Sequence, residues 1–253
     1  RGVATHSSGN HAAALSLAAR HRGVPAYIVM PSNSSETKIQ KVREYGGEIM
    51  ICEPTLEARE SGLEQVVDQT GATFVPPYDH PDIICGQATA ALELLREIAD
   101  ADIILSPVGG GGLLSGTALA AKNLFPDALV VGAEPAHADD ALQSLKAGKI
   151  IPQTNPDTIA DGLRTSLGKL TFEIISQYVD DIFIASEDAI REAMVMIKQA
   201  TGMMVEPSSA LPVAVMLENQ EFFEGKKVGL IISGGNISPQ MFDALTKGVK
   251  VRG

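Results

Sequence analysis

Short apolar runs and amphipathic stretches succeed one another along the chain. Residues 2–6, 26–30, 48–52 and 73–75 read as strands, and residues 11–22, 36–45 and 56–69 between them carry helical spacing. Gly23-Val24-Pro25 and Gly46-Gly47 fall where helices should stop and the chain should turn. Alternation of this kind predicts parallel βαβ units, because a parallel neighbour needs a crossover long enough to hold a helix. The run Pro76-Pro77-Tyr78-Asp79-His80-Pro81 is too rich in proline to continue either element. It reads as a boundary between a small domain, 1–79, and a larger one, 80–253. Past it the pattern predicts a helix over 86–98, with Ala90, Leu94, Leu95 and Ile98 on one face, and a buried strand over 103–106. Helices over 113–124, 188–199 and 208–218 and strands over 129–133 and 228–232 follow. The fold class is α/β throughout, with no internal repeat.

Composition narrows the partners. The net charge is −11 with a pI near 4.9, and no run of Lys and Arg offers a surface to nucleic acid or anionic lipid. Aromatics are 4% and Trp is absent, which disfavours base stacking. No stretch reaches the roughly 18 apolar residues of a membrane span. Cys52 and Cys85 are too few and too far apart for a disulfide framework, and both are expected as small buried hydrophobes. The expectation is a cytoplasmic protein acting on a small molecule. The sequence opens on Arg1-Gly2 without an initiator Met.

Three strand-to-helix junctions carry candidate chemistry. Gly109-Gly110-Gly111-Gly112 lies between a buried strand and a helix start. Bare amides there, aligned with the positive end of a helix dipole, form a nest for a phosphate. A tight turn would need only one or two glycines, and four in a row cost conformational entropy. The lysine-bearing P-loop and the GxGxxG dinucleotide pattern are both absent. Thr5-His6-Ser7-Ser8-Gly9-Asn10-His11 could hold a carboxylate against a helix N-terminus, or Ser8 or Asn10 could simply cap that helix. Ser233-Gly234-Gly235-Asn236 closes a strand, where α/β sheets bind ligands and where ordinary turns also fall.

Taken together, THSSGNHAAAL (5–15), PVGGGGLLSG (107–116), AEPAHADD (133–140), TIADGL (158–163), VEPSSA (205–210) and SGGN (233–236) resemble the fold-type II pyridoxal-phosphate enzymes. Serine racemases and serine/threonine dehydratases are the nearest likeness, in order and over essentially the whole chain. The resemblance implies two three-layer, parallel-sheet domains like those of the tryptophan synthase β subunit, and a homodimer. It implies that the amides of Gly109, Gly110, Gly111, Gly112 and Leu113 bind the cofactor phosphate, and that Asn10 bonds the pyridoxal 3′-oxygen. Ser233 would face the pyridine nitrogen, and Glu206 would lie beside the ring. Ser7, Ser8, Asn10 and His11 would cradle the substrate carboxylate, with Tyr78 at the substrate. Glu134, the Ala138 carbonyl and Asp140 match the family's divalent-cation site, and such hard oxygens suit Mg²⁺, Mn²⁺ or Ca²⁺. Asp139-Asp140 could equally be acids favoured at a helix start.

The family's Schiff-base lysine lies in a segment that no lysine of this chain matches. The expectation is therefore that the N-terminal part of the large domain is missing and that this chain alone attaches no cofactor covalently. The implied activity is elimination of water from L-serine or L-threonine, giving a 2-oxo acid and ammonia, with serine racemisation from Ser8 as second base. Alternatives are a racemase foremost, a 3-hydroxyaspartate ammonia-lyase, or a lysine-less binding module. Tyr78 stands where mammalian racemases carry Asn, whereas Ser8 resembles those racemases.

Overall fold

The structure, a computed structural model, describes residues 1–98 and 100–252. It divides into two compact units, Arg1–Pro77 and Tyr78–Gly253.

The first unit runs β1 (Val3–His6), α1 (Asn10–Arg22), β2 (Ala26–Pro31), α2 (Glu36–Glu44), β3 (Glu48–Cys52), α3 (Leu56–Thr70) and β4 (Thr73–Phe74). All pairings are parallel, in the order β3-β2-β1-β4. Successive side chains of a strand point to opposite faces. Ile28 and Met30 therefore pack with Ala12, Ile39 and Val42 of α1 and α2, while Val29 packs on the other face with Leu63 and Val66 of α3. Ser35 and Thr55 cap α2 and α3 through their hydroxyls. Gly23, at φ 66°, closes α1 in the left-handed conformation.

The second unit runs α4 (Pro81–Glu97), β5 (Ile103–Pro107), α5 (Gly112–Leu124), β6 (Leu129–Pro135), α6 (Asp140–Ala147) and a 3-10 turn (Asp161–Leu163). Then come α7 (Lys169–Tyr178), β7 (Asp181–Ala185), α8 (Glu187–Thr201), α9 (Pro207–Glu218), α10 (Gln220–Phe223), β8 (Val228–Leu230) and α11 (Pro239–Thr246). Its sheet is also parallel, in the order β7-β6-β5-β8. Ile103, Leu105 and Val131 pack with Ile190, Met194, Leu211 and Val215 of α8 and α9. Ile104, Val130 and Ile182 face the other way, onto Leu114, Ala118 and Ile175. Each unit is a three-layer α/β/α sandwich, as the strand–helix alternation implied.

The structure corrects several expectations. The expected helix over 86–98 starts earlier: His80 accepts the Asp82 amide at 3.2 Å and Pro81 opens α4, five residues before the expected start. Proline suits that first helical position, where its missing N–H has no partner to lose. The strand expected over 228–232 stops at Leu230. Elements α6, α7, β7 and α11 were not anticipated; they are only five to ten residues long. Cys85 is exposed and Cys52 half-buried, so neither is a core residue.

The strand orders locate the ligand-binding edges. In the first sheet the chain leaves β1 for β2 on one side and returns to β4 on the other. In the second, β5 has β6 on one side and β8 on the other. Parallel sheets leave a crevice at the carboxyl end of a strand at which the order reverses in this way. The loops after β1, β5 and β8 are the three junctions singled out from the sequence.

Helices α4 and α5 approach closely enough that a Cβ on Gly116 would lie 2.5 Å from the Ala88 nitrogen and 2.6 Å from the Ile84 oxygen. Gly116→Ala should therefore lower stability by about 2 kcal/mol, since backbone atoms cannot step aside as a side chain can. Urea unfolding should show this as a lower midpoint at unchanged slope.

Candidate active site

Four glycines follow β5 because nothing larger fits. A Cβ on Gly109 would lie 3.0 Å from Leu163 Cα, one on Gly110 would enter the Tyr78 ring, one on Gly111 would lie 2.8 Å from Thr171 Cβ, and one on Gly112 would lie 3.0 Å from Tyr78 Cβ. Gly111 also has φ 89°, a conformation that side chains disfavour. It sits at the N-cap of α5, where no side chain caps the first amides. The loop is thus a row of bare N–H groups at a helix N-terminus, the chemistry that binds a phosphate. Leu113 continues that first turn.

Neighbouring motifs buttress the loop. Thr171 of α7 is fully buried, and its hydroxyl donates to the Gly110 carbonyl at 2.9 Å while accepting the Gly168 amide at 2.9 Å. Asp79 accepts the Lys169 and Thr171 amides at 3.1 and 3.0 Å and so caps α7. The Gly162 amide, in TIADGL, donates to Ser208 Oγ at 3.1 Å. Ser209 Oγ donates to the Gly234 carbonyl at 2.7 Å, accepts the Gly234 amide at 2.5 Å and lies 3.1 Å from Ser233 Oγ. With its single proton on the nearer carbonyl, Ser209 can only accept from Ser233. The Glu206 amide donates to the same Gly234 carbonyl, and the Glu206 side chain is buried. Tyr78, Gly109 to Gly112, Glu206 and Ser233 are therefore built into one unit, with Ser233 exposed.

In the first unit, α1 begins at Asn10 with Gly9 as N-cap and no side-chain cap, so neither Ser8 nor Asn10 plays the capping role. Ser8 and Asn10 are exposed and Ser7 is half-buried. His11 Nε2 lies 3.2 Å from the Val75 carbonyl. A carbonyl only accepts, so that nitrogen carries the proton. Burial lowers the His11 pKa and keeps the ring neutral. Lys38 of α2 is buried with its stem against Gly9.

The acidic motif has two functions. Glu134 accepts the Ala141 and Leu142 amides at 2.8 and 3.0 Å, so a residue from β6 caps α6. The Asp140 carboxyl is buried, with the Leu167 amide as a hydrogen-bond donor to it. Burial raises Glu134 to about 8 and Asp140 to about 7. Ala138 is buried in the same turn, its amide on the Pro135 carbonyl. Among the described residues no group of three or more His, Cys, Asp or Glu side chains is placed to hold a metal.

An α/β chain with a phosphate cradle at the switch point of a parallel sheet defines a class of phosphate- and cofactor-binding enzymes. Residues 1–234 match the model of the family described as pyridoxal-phosphate dependent enzyme. The chain is 46% identical over 237 residues to the beta-hydroxyaspartate dehydratase of Paracoccus denitrificans (94% of this chain, 75% of that protein). It is 46% identical over 242 residues to the serine racemase of Oryza sativa subsp. indica (94% and 71%). The structure of maize serine racemase superposes with a TM-score of 0.92 at 43% identity, over 97% of this chain and 77% of that one. The chain belongs to the pyridoxal-phosphate-dependent enzyme family, whose members here are lyases and racemases. No described helix is long and apolar enough to cross a membrane.

The raised carboxyl pKa values fix a pH dependence. Between pH 4.5 and about 8 for Glu134, and between 3.8 and about 7 for Asp140, the folded state holds a proton that the unfolded chain has released. Stability therefore falls as pH rises through these windows and levels off above them. Denaturation in metal-free buffer should show this loss, and Asp140→Asn should reduce it.

Proposed function

We propose that the protein is a pyridoxal-phosphate-dependent ammonia-lyase for β-hydroxy amino acids, with L-serine and L-threonine as substrates and serine racemisation as a second output. The glycine cradle carries this reading, because it excludes every side chain and offers only amides. The amides of Gly109 to Leu113 hold the cofactor phosphate. Asn10 takes the 3′-oxygen, Glu206 lies beside the ring and Ser233 meets the pyridine nitrogen. The cofactor, when bound, supplies the electron sink for the carbanion left by the α-proton. A neutral hydroxyl at Ser233 would hold the ring nitrogen without a carboxylate's charge and so would favour elimination of the β-hydroxyl. Ser7, Ser8, Asn10 and His11 orient the substrate carboxylate, His11 by hydrogen bonding rather than by charge. Tyr78 bounds the substrate. Ser8 delivers or removes a proton on the second face.

A divalent cation belongs to the same reading. The buried Asp140 carboxyl, whose pKa burial raises, fits a hard cation, with Glu134 and the Ala138 carbonyl as further ligands. Binding to the folded state alone would stabilise it. A chelator should then lower the melting temperature, Mg²⁺ or Mn²⁺ should restore it, and Glu134→Ala or Asp140→Ala should abolish the response.

A second reading, 3-hydroxyaspartate as substrate, draws support from the Paracoccus dehydratase and from the L-threo-3-hydroxyaspartate ammonia-lyase of Saccharomyces cerevisiae, 42% identical over 249 residues. Ammonia and 2-oxo acid release from L-serine, L-threonine and L-threo-3-hydroxyaspartate, compared as kcat/KM, separates the two. In the first reading serine or threonine leads, and a lead for hydroxyaspartate overturns it. In an enzyme that carries the family's lysine, Ser8→Ala should abolish D-serine formation while pyruvate release from L-serine persists. An unchanged ratio of D-serine to pyruvate removes racemisation from the assignment.

A further inference from the structure

We propose that Thr171 is the positioning residue of the phosphate cradle, the group that turns the Gly111 amide toward an anion. This rests on the cofactor reading above. Thr171 lies on α7, some sixty residues beyond the glycines, yet it is fully buried against them. Its hydroxyl has one proton and two carbonyls in reach, Gly110 at 2.9 Å and Gly168 at 3.2 Å. The Gly168 amide already donates to it at 2.9 Å, which directs the proton to the nearer and better placed Gly110.

That bond fixes a peptide plane. A trans peptide points its C=O and N–H in opposite directions, and no peptide bond among the described residues is cis. Holding the Gly110 oxygen back onto Thr171 therefore sends the Gly111 N–H the other way. Glycines on both sides give this plane no side chain of its own to resist rotation. Without the hydroxyl, the Gly110–Gly111 peptide is free to turn its oxygen outward, and an oxygen repels a phosphate where an N–H would bind it.

Thr171 is itself held. Asp79 accepts its amide at 3.0 Å, and Ser115 of α5 donates to its carbonyl at 3.4 Å. The cradle is thus braced from α7 and from the start of α4. Replacing the hydroxyl with a methyl of the same shape removes the brace and keeps the packing.

The test compares pyridoxine phosphate with pyridoxine, which lack the aldehyde and bind without covalent attachment to any lysine. Calorimetric Kd values for Thr171→Val should weaken about tenfold for the phosphate ester and stay unchanged for the alcohol, the loss expected when a donor to an anion is misdirected. Thr171→Ser should stay within about twofold of wild type on both, since it restores the donor. A merely structural role would lower the melting temperature and weaken both ligands alike; that result, or equal Kd values for Val and wild type, overturns the proposal. If Thr171→Val does not fold, Thr171→Ser and Thr171→Cys form the matched pair: both lack the methyl, and only serine keeps a strong donor. Equal phosphate-ester affinities in that pair overturn the proposal. A wild type that binds the ester no better than the alcohol overturns the cofactor reading together with this one. A wild type with strong ester preference that Thr171→Val retains overturns only the role of Thr171.

Discussion

Exclusion of side chains from one loop shapes the second unit. Gly109 to Gly112 are enclosed by Leu163, Tyr78, Leu167 and Thr171, so each added methyl would meet an atom at or inside van der Waals contact. The groups left to face a ligand are amides, and the helix that follows gives them a common electrostatic sign. The packing around them follows from that requirement. The 3-10 turn reaches Gly109, Asp79 braces α7, and α7 braces Gly110.

Buried polarity elsewhere obeys the same economy of donors. Ser209 uses its proton on Gly234, and the arrangement leaves Ser233 to settle its own hydroxyl between Ser209 and the space beside it. Glu134 satisfies two amides of α6 that would otherwise lack partners. Asp140, buried in the same motif, also receives backbone amides, and burial is the largest influence on its carboxyl.

The alternation of strands and helices was legible because parallel strands covered on both faces are almost wholly apolar, as Ile28-Val29-Met30 and Ile103-Ile104-Leu105 are. The glycine loop was legible because four consecutive glycines have few structural uses. Elements α7 and β7 were missed for their shortness, ten and five residues, although Leu170, Ile174 and Tyr178 keep helical spacing in KLTFEIISQY. Proline at 81 misled because the same residue breaks a helix interior and opens a helix at its first turn. Asp79, Thr171 and Ser209 left no local signal: each acts on backbone 25 to 92 residues away in sequence. The Ser-Ser pair after Pro207 could have hinted at Ser209, because two hydroxyls starting an otherwise apolar helix need partners.

The pairing of β5 with β8 has a consequence for biogenesis. The Lys227 amide donates to Asp102, 125 positions earlier, and Ile103 pairs with Val228. At roughly 5 to 20 residues per second of synthesis, β5 waits on the order of 6 to 25 s on the ribosome before the strand that covers its second edge exists. During that interval Ile103, Ile104 and Leu105, among the most apolar residues of the chain, present an unpaired edge. The strand that bears the glycine loop is thus the one most exposed to misassociation while the chain is being made, and nascent-chain chaperones would meet the protein there.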